Sequence, residues 1–478
     1  MNQRWPRMST KCINLVALDM KPRSDESVDD LAVTKQHASI IAETDFQEHP
    51  EDVRALARRA VRDGIANALL AHKTPLGAMY VNAGPTVENG SPLIGGAGRS
   101  PTDAAFANAG LWNALDWDDT VEGAGHPGSS IVPAALAVGL KTGATVEDFL
   151  NGIILGYELA IRTAKALKPS WDRYVLVHGS GTRHTLGAAA AAAAVAGYDA
   201  DQVAEVLGCA AQLAPVPHAA KFGWDEQRLT WLKDNNARAA SASVRAWQLA
   251  EGGLVGPRTV LDDEDGFWRM AGSDQCDWDT LSTPLDEGYE LPEVAFKPYP
   301  CCRWLHATAE ATKAAVANVD DVHSVEIETT RRVAESFVLE PSSQVNAEFS
   351  LPFVVGQAVS GNDLVDWYGP EGPAATPQFE LTVTECPSHT ERFEAERVAG
   401  ATVTVSDSHT TSTVTIERPR GGPARRLDES IHDKKLDAGL SACKRLNTTI
   451  ADINRILNSD DELAALANQL AVTTDNEY

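Results

Sequence analysis

The sequence predicts a mainly α protein with an α+β second domain: a large all-helical domain plus a smaller α+β lid domain. Three observations carry that expectation. Apolar residues recur at helical spacing through most of the first 270 positions. Residues 184–197 are nearly all Ala and Gly, the composition of a helix packed at close range inside a helical interior. After Gly266 the period shortens, and 323–330, 379–385 and 401–406 alternate apolar and polar side chains as strands do.

Taken in order, Val53, Leu56, Val61, Ile65 and Leu69 predict a helix from Pro50 to His72, with Glu51 and Asp52 at its favourable acidic end. Residues 84–102, rich in Gly, Pro and Ser, read as loop. Helices follow over about 103–115 and 129–142. An amphipathic helix over 146–168 presents Phe149, Ile153, Ile154, Tyr157, Ile161 and Leu167. Asp199 caps a helix to about Leu213, which Pro215 and Pro217 end. Residues 235–251 and 303–318 are helical again. Beyond them a helix near 346–360 and a Gly/Pro loop at 369–377 lie among the strands, the last of which falls near 412–417. Residues 428–471 return to helix. The expected division is a helical domain at 26–270, an α+β lid at 271–420, and C-terminal helices at 421–478 that rejoin the helical domain.

Charge excludes some functions. Asp and Glu number 67 against 41 Lys and Arg, a net charge of −26, and only 14 of the cations are Lys. A dispersed acidic surface poor in Lys is expected of a protein adapted to concentrated salt, where screening weakens self-repulsion. It offers no basic footprint, so no nucleic-acid or anionic-membrane partner is expected. The seven cysteines form no C-x-x-C pair and are odd in number, which fits a reducing cytoplasm better than a disulfide scaffold. No secretory signal opens the chain. The Ala-rich run of Gly187 to Gly197 is far short of a membrane span.

Four segments gather groups able to do chemistry. Asp116-Trp117-Asp118-Asp119-Thr120, followed by His126-Pro127-Gly128, crowds three carboxylates, a hydroxyl and an imidazole near a helix start. An anion site, ordinary capping and a carboxylate-held metal are all open to such a cluster. Lys297-Pro298-Tyr299-Pro300-Cys301-Cys302-Arg303-Trp304-Leu305-His306 approaches a helix through two prolines. It can hold carboxylates and move a proton. Its cysteines read as small core residues more than as nucleophiles, and no second Cys/His cluster stands at metal-ligand spacing. His178-Gly179-Ser180-Gly181-Thr182-Arg183-His184 lacks the G-K-[ST] ending of a nucleotide loop, so its glycines serve close packing or an anion at the helix start. In Trp231–Ala237 a lone Lys233 enters a helix of small residues.

Together these segments resemble the MmgE/PrpD family, the group of 2-methylcitrate dehydratase, cis-aconitate decarboxylase and iminodisuccinate epimerase. The likeness is carried by D-x-D-D-T at Asp116–Thr120, H-P-[SG] at His126–Gly128 and P-A-A-L-A at Pro133–Ala137. It continues through G-Y-E-x-x-x-R at Gly156–Arg162, His178 with Gly187, Lys297 to His306, and A-x-F-S-x-P-[YF] at Ala347–Phe353. It spans about residues 45–445. The resemblance implies a homodimer whose cleft, between the helical domain and the lid, takes a small di- or tricarboxylate with neither metal nor organic cofactor. It implies site residues at Asp116, Thr120, His126, Lys233 and Lys297. Two positions depart from the decarboxylases: Cys302 stands where they have a histidine, and Phe337 in place of a tyrosine. Both departures weigh against decarboxylation.

The chemistry implied is proton movement at carbon beside a carboxylate, made feasible when cations neutralise the developing enediolate-like charge. Lys233, Lys297 and Arg303 are the expected clamp, with His178 and Cys302 at the substrate. His126 is the expected acid–base group, oriented by Asp116 or Thr120, and His306 the second acid. The leading expectation is a hydro-lyase dehydrating 2-methylcitrate or a similar hydroxy-polycarboxylate, as in propionate catabolism. Dicarboxylate epimerisation and cis-aconitate-type decarboxylation are the alternatives, and a non-catalytic scaffold stands last.

Overall fold

The computed structural model describes residues 32–472 except 175, 178, 179 and 217–232, and leaves the side chains of Trp171, Lys233 and Asp286 outside the description. The first half is a helical body. Its long helices are Glu51–Ala71, Pro101–Asn113, Gly128–Thr142, Val146–Ala166, Ser180–Val195, Ala200–Leu213 and Asn236–Glu251. Local chemistry sets their starts. Thr145 with Asp148 and Asp199 with Gln202 form capping boxes, and Ser100 accepts from the Asp103 N–H before Pro101 opens its helix. The Ala/Gly helix earns its composition by contact. A Cβ on Gly187 would lie 2.5 Å from the Ala160 Cβ and from the Gly156 carbonyl oxygen, so this helix and Val146–Ala166 cross backbone to backbone.

The second half holds a four-stranded sheet. β1 (Ser324–Thr329) lies between β4 (Glu380–Glu385) and β5 (Ala401–Ser406), and β6 (Thr411–Ile416) pairs with β5 at the far edge. β2 (Tyr368–Gly369) and β3 (Gly372–Pro373) make a small separate hairpin in the Gly/Pro loop. β1 runs parallel to β4, while β1–β5 and β5–β6 are antiparallel. The register puts Val325 opposite Val405 and Ile327 opposite Val403, all buried, and helix His306–Val316 lies against β5 and β6. On the other face Thr402–Thr415, Thr404–Thr413 and Ser406–Thr411 form a ladder of cross-strand hydroxyl bonds. The architecture is a large helical part with a smaller α+β part.

Several elements differ in detail from the sequence expectation. The helix expected at 303–318 begins as a 3-10 turn, Arg303–Leu305. The one near 346–360 splits into Gln344–Glu348 and Leu351–Ser360, because Ser350 caps the second helix and Pro352 enters its first turn. The C-terminal stretch breaks into Glu429–Ala442, Ile450–Leu457 and Ala464–Leu470. Helices Val33–Glu43, Pro75–Val81 and Pro387–Glu396 were not expected at all.

Helix Glu429–Ala442 packs on Glu51–Ala71. Lys435 meets Asp63 at 2.9 and 3.0 Å in a buried pair, and Arg62 reaches Glu429 and Asp433. Farther on, the Val146 N–H donates to the Asp461 carbonyl and the Leu463 N–H to that of Ala144. The chain's last helices are thus stitched to its first third. No helix among the described residues is long and apolar enough to cross a membrane.

Candidate active site

The Asp116–Gly128 segment links the end of helix Pro101–Asn113 to the start of Gly128–Thr142. It turns sharply at Asp116, whose φ of 48° is left-handed, and again at Gly123 and Gly125. A backbone bridge between Thr120 and Ala295, 2.8 Å in each direction, sets the Lys297 segment beside it. Gly125 is required twice over: its φ is 86°, and a Cβ there would meet the Ser180 hydroxyl at 2.5 Å. Two further bonds hold the loop, Thr120 Oγ1 to the Gly125 carbonyl (3.1 Å) and His184 Nε2 to that of Ala124 (2.7 Å). Burial drives His184 down to about pKa 4, so it serves there as a neutral donor.

His126 stands at the centre. Its Nδ1 lies 2.9 Å from the Asp119 carbonyl oxygen, an atom that can only accept, so Nδ1 carries the proton. In the neutral ring Nε2 is then the free base. The Asp116 and Asp234 carboxylates stand 3.5 and 3.9 Å from Nε2, opposite charges for the imidazolium that forms when it takes a proton. Asp118 lies 3.6 Å from Nδ1 and is itself held by the Asn113 amide at 3.1 and 3.0 Å.

Behind this ring lie buried charges. Lys297 Nζ donates to both the carbonyl and Oδ1 of Asp116, each at 2.8 Å, and its side chain is 0% exposed. Asp119 accepts from the Tyr157 hydroxyl (2.9 Å) and the Gly128 N–H (3.2 Å). Burial first, and Asp118 second, push its carboxyl up to about 7. Lys435 donates to the Trp117 carbonyl at 2.6 Å and sits over the Trp117 ring.

A cleft of about 970 Å³ opens in front of His126, at the upper end of the usual range for small-molecule sites. Asp116, Thr120, His126, Cys302 and Arg303 all line it. Arg303 donates Nε to Glu122 at 3.2 Å and Nη1 to the Arg420 carbonyl at 2.7 Å. Burial raises the Glu122 carboxyl against the pull of that guanidinium.

Two of the expected residues lie away from the cleft wall. Lys297 does not face the cleft as a substrate clamp, because its ammonium is spent on Asp116. His306 is not placed as a second acid. It is fully buried, edge-on to Tyr299, with Nε2 3.0 Å from the Cys301 carbonyl, and burial and then Arg303 hold it neutral. His178 and the Lys233 side chain lie outside the described residues. Cys302 lines the cleft at 8% exposure, whereas Cys301 is fully buried and its thiol is pushed far up by burial. Phe337 stacks on Phe349 and meets Trp304 edge-on.

Sequence reasoning missed Asp119, Glu122 and Asp234 as individuals. Asp119 and Asp234 sit inside segments it did single out, and Glu122 carries no pattern of its own. The G-Y-E-x-x-x-R phrase proves to be a brace: Tyr157 holds Asp119, and Glu158 accepts the N–H groups of Glu290 and Leu291 while Arg162 bonds Glu158 and the Gly288 carbonyl.

Asp116, Asp118 and His126 bring one ligand atom each within 4.8 Å, the geometry of a possible cation site. The Asp118 carboxylate, Asp116 Oδ1 and His126 Nδ1 are already engaged, and the Lys297 ammonium 2.8 Å from Asp116 Oδ1 repels a metal ion where it would bind. The donor set reads as an ion-pair network.

Fold and site define a class of protein in which a large helical body and a smaller α+β part carry a cleft lined by one oriented imidazole. Within that class the chain belongs to the MmgE/PrpD family: the family's N-terminal domain matches residues 35–278 and its C-terminal domain 299–459. A cis-aconitate decarboxylase of Aspergillus terreus is 24% identical over 89% of this chain and 91% of its own length. A human cis-aconitate decarboxylase is 30% identical over 44% of each chain, so the match spans under half the length of that relative. The mouse enzyme of the same name is 28% identical, over 45% of this chain and 43% of its own.

Proposed function

We propose that the protein is a lyase acting on a small di- or tricarboxylate, with His126 moving a proton at the carbon next to a carboxylate. The observation that carries this reading is the oriented imidazole: Nδ1–H fixed on Asp119 and Nε2 open toward the cleft between two carboxylates. The reaction we favour is dehydration of 2-methylcitrate or a related hydroxy-polycarboxylate. Nε2 takes the C–H proton, the electron pair forms the alkene, and the hydroxyl on the neighbouring carbon leaves as water with a proton from the site. The raised carboxyl of Glu122, on the cleft wall, is suited to supply that proton. Support for dehydration over decarboxylation comes from Cys302 and Phe337, a poor acid and a hydrocarbon ring at the two positions where the decarboxylases are expected to carry His and Tyr.

Decarboxylation of cis-aconitate is the second reading, favoured by the activity for which the similar fungal and mammalian proteins are named. Incubation of the purified protein in concentrated salt and D₂O with 2-methylcitrate, citrate, cis-aconitate and iminodisuccinate, followed by proton NMR, separates these outcomes. Dehydration gives an alkene signal from a hydroxy acid with no loss of carbon. Decarboxylation consumes cis-aconitate and releases CO₂. Deuterium uptake without net conversion marks an epimerase, and no change with any acid refutes the proposal.

A further inference from the structure

Arg183 takes no part in the chemistry above, yet it lines the same cleft. It lies in the first turns of helix Ser180–Val195, where the partial positive charge of the helix end disfavours a cation. Its Nη1 donates to the Gly123 carbonyl at 3.2 Å. Its Nε is buried with no hydrogen-bond partner, and no carboxylate of the described residues pairs with it. Arg62, Arg162, Arg258 and Arg303, by contrast, each meet a carboxylate. Arg99, also buried without a carboxylate, spends its guanidinium on Thr86 and three backbone carbonyls, whereas among the described residues Arg183 has only the Gly123 carbonyl, in a chain of net charge −26. Such burial is unfavourable unless an anion completes it.

The position suits a substrate anion. Gly123, which Arg183 touches, is three residues from His126, so their Cα atoms are at most about 11 Å apart. Ser180, at the start of the same helix, also faces the cleft. We propose that Arg183, with Ser180 and the amino end of its helix, anchors a carboxylate of the substrate remote from the carbon that loses its proton, and thereby selects tricarboxylates over shorter dicarboxylates. This rests on the polycarboxylate reading of the cleft.

Calorimetric titration with two unreactive acids tests it without relying on turnover. Tricarballylate has a third carboxylate; succinate has two. Charge-assisted hydrogen bonds of this kind correspond to about 10- to 100-fold in affinity. Arg183→Gln is expected to weaken tricarballylate by that factor and succinate less than about threefold, with Arg183→Lys between wild type and Gln. Equal loss for both acids, or loss for neither, overturns the anchor while leaving the polycarboxylate reading intact. If wild type binds neither acid, the polycarboxylate reading fails and the anchor with it. Should Arg183→Gln not fold, Arg183→Lys carries the same comparison: a selective loss for tricarballylate is expected, and an unselective one refutes the assignment.

Discussion

Lys297→Met separates two roles for one lysine. Read from sequence, Lys297 is a cation for the substrate. In the structure it is fully buried, and its ammonium donates to the carbonyl and the carboxylate of Asp116. Removing one partner of a buried pair leaves the other charge uncompensated and costs about 3–5 kcal/mol. At about 2.1 cal/mol/K per residue, the unfolding entropy of 478 residues is about 1 kcal/mol/K. If the chain melts as one unit, the expected fall in Tm is therefore about 3–5 °C. The double variant Lys297→Met/Asp116→Asn removes the stranded charge but leaves the Asp116 carbonyl without its donor. It should recover part of the loss, with a coupling of about 1–3 kcal/mol. Thermal and urea melts of wild type, both singles and the double complete the cycle. A Tm unchanged by Lys297→Met, coupled to a raised KM with normal kcat, would refute the buried-pair reasoning and restore the clamp.

Two further outcomes follow from the same geometry. Gly125→Ala forces a side chain into a left-handed position against Ser180, so a loss of about 1–3 kcal/mol in urea unfolding is expected, together with reduced turnover as the His126 loop shifts. Asp119 has a folded pKa of about 7, raised from about 4 by burial and Asp118. A raised carboxyl adds stability that is fully present below the unfolded pKa and lost as pH rises through about 7. Asp119→Asn should therefore gain in Tm relative to wild type as pH goes from 4 to 7. A difference that stays flat across that window contradicts the assignment, and comparison with wild type cancels the opposite slope of His37 and His184, whose depressed pKa values remove stability below about pH 6.5.

Much of the fold was legible because burial writes a period into the chain. The stripe of Val53, Leu56, Val61, Ile65 and Leu69 became Glu51–Ala71, and the alternation of Ala401, Val403 and Val405 became β5. Helix Pro387–Glu396 escaped notice because only His389, Thr390 and Phe393 of its ten residues are buried, too few to mark a face. The site was legible as a set of segments and illegible in its wiring. Nothing local distinguishes Lys297, whose ammonium is buried on a carboxylate 181 positions away, from a lysine that meets substrate. Lys435 is likewise a plain helical lysine until the packing of Glu429–Ala442 brings it to Asp63 and the Trp117 carbonyl, 372 and 318 residues distant. Arg183 shows the reverse, since what sets it apart is that no carboxylate among the described residues meets it.

His126 Nε2 is the group proposed to move the substrate proton. Its direct test is proton NMR in D₂O of His126→Asn, measuring C–H exchange and conversion of the acid that wild type turns over, beside Cys302→Ser. Asn can still donate to the Asp119 carbonyl, so Tm should stay within about 3 °C of wild type. General acid–base catalysis supplies roughly 10² to 10⁴ in rate. Exchange and conversion are expected to fall together by about 10² or more in His126→Asn, while Cys302→Ser keeps most of its activity. Exchange that survives in His126→Asn, with Cys302→Ser the crippled variant, would contradict that role.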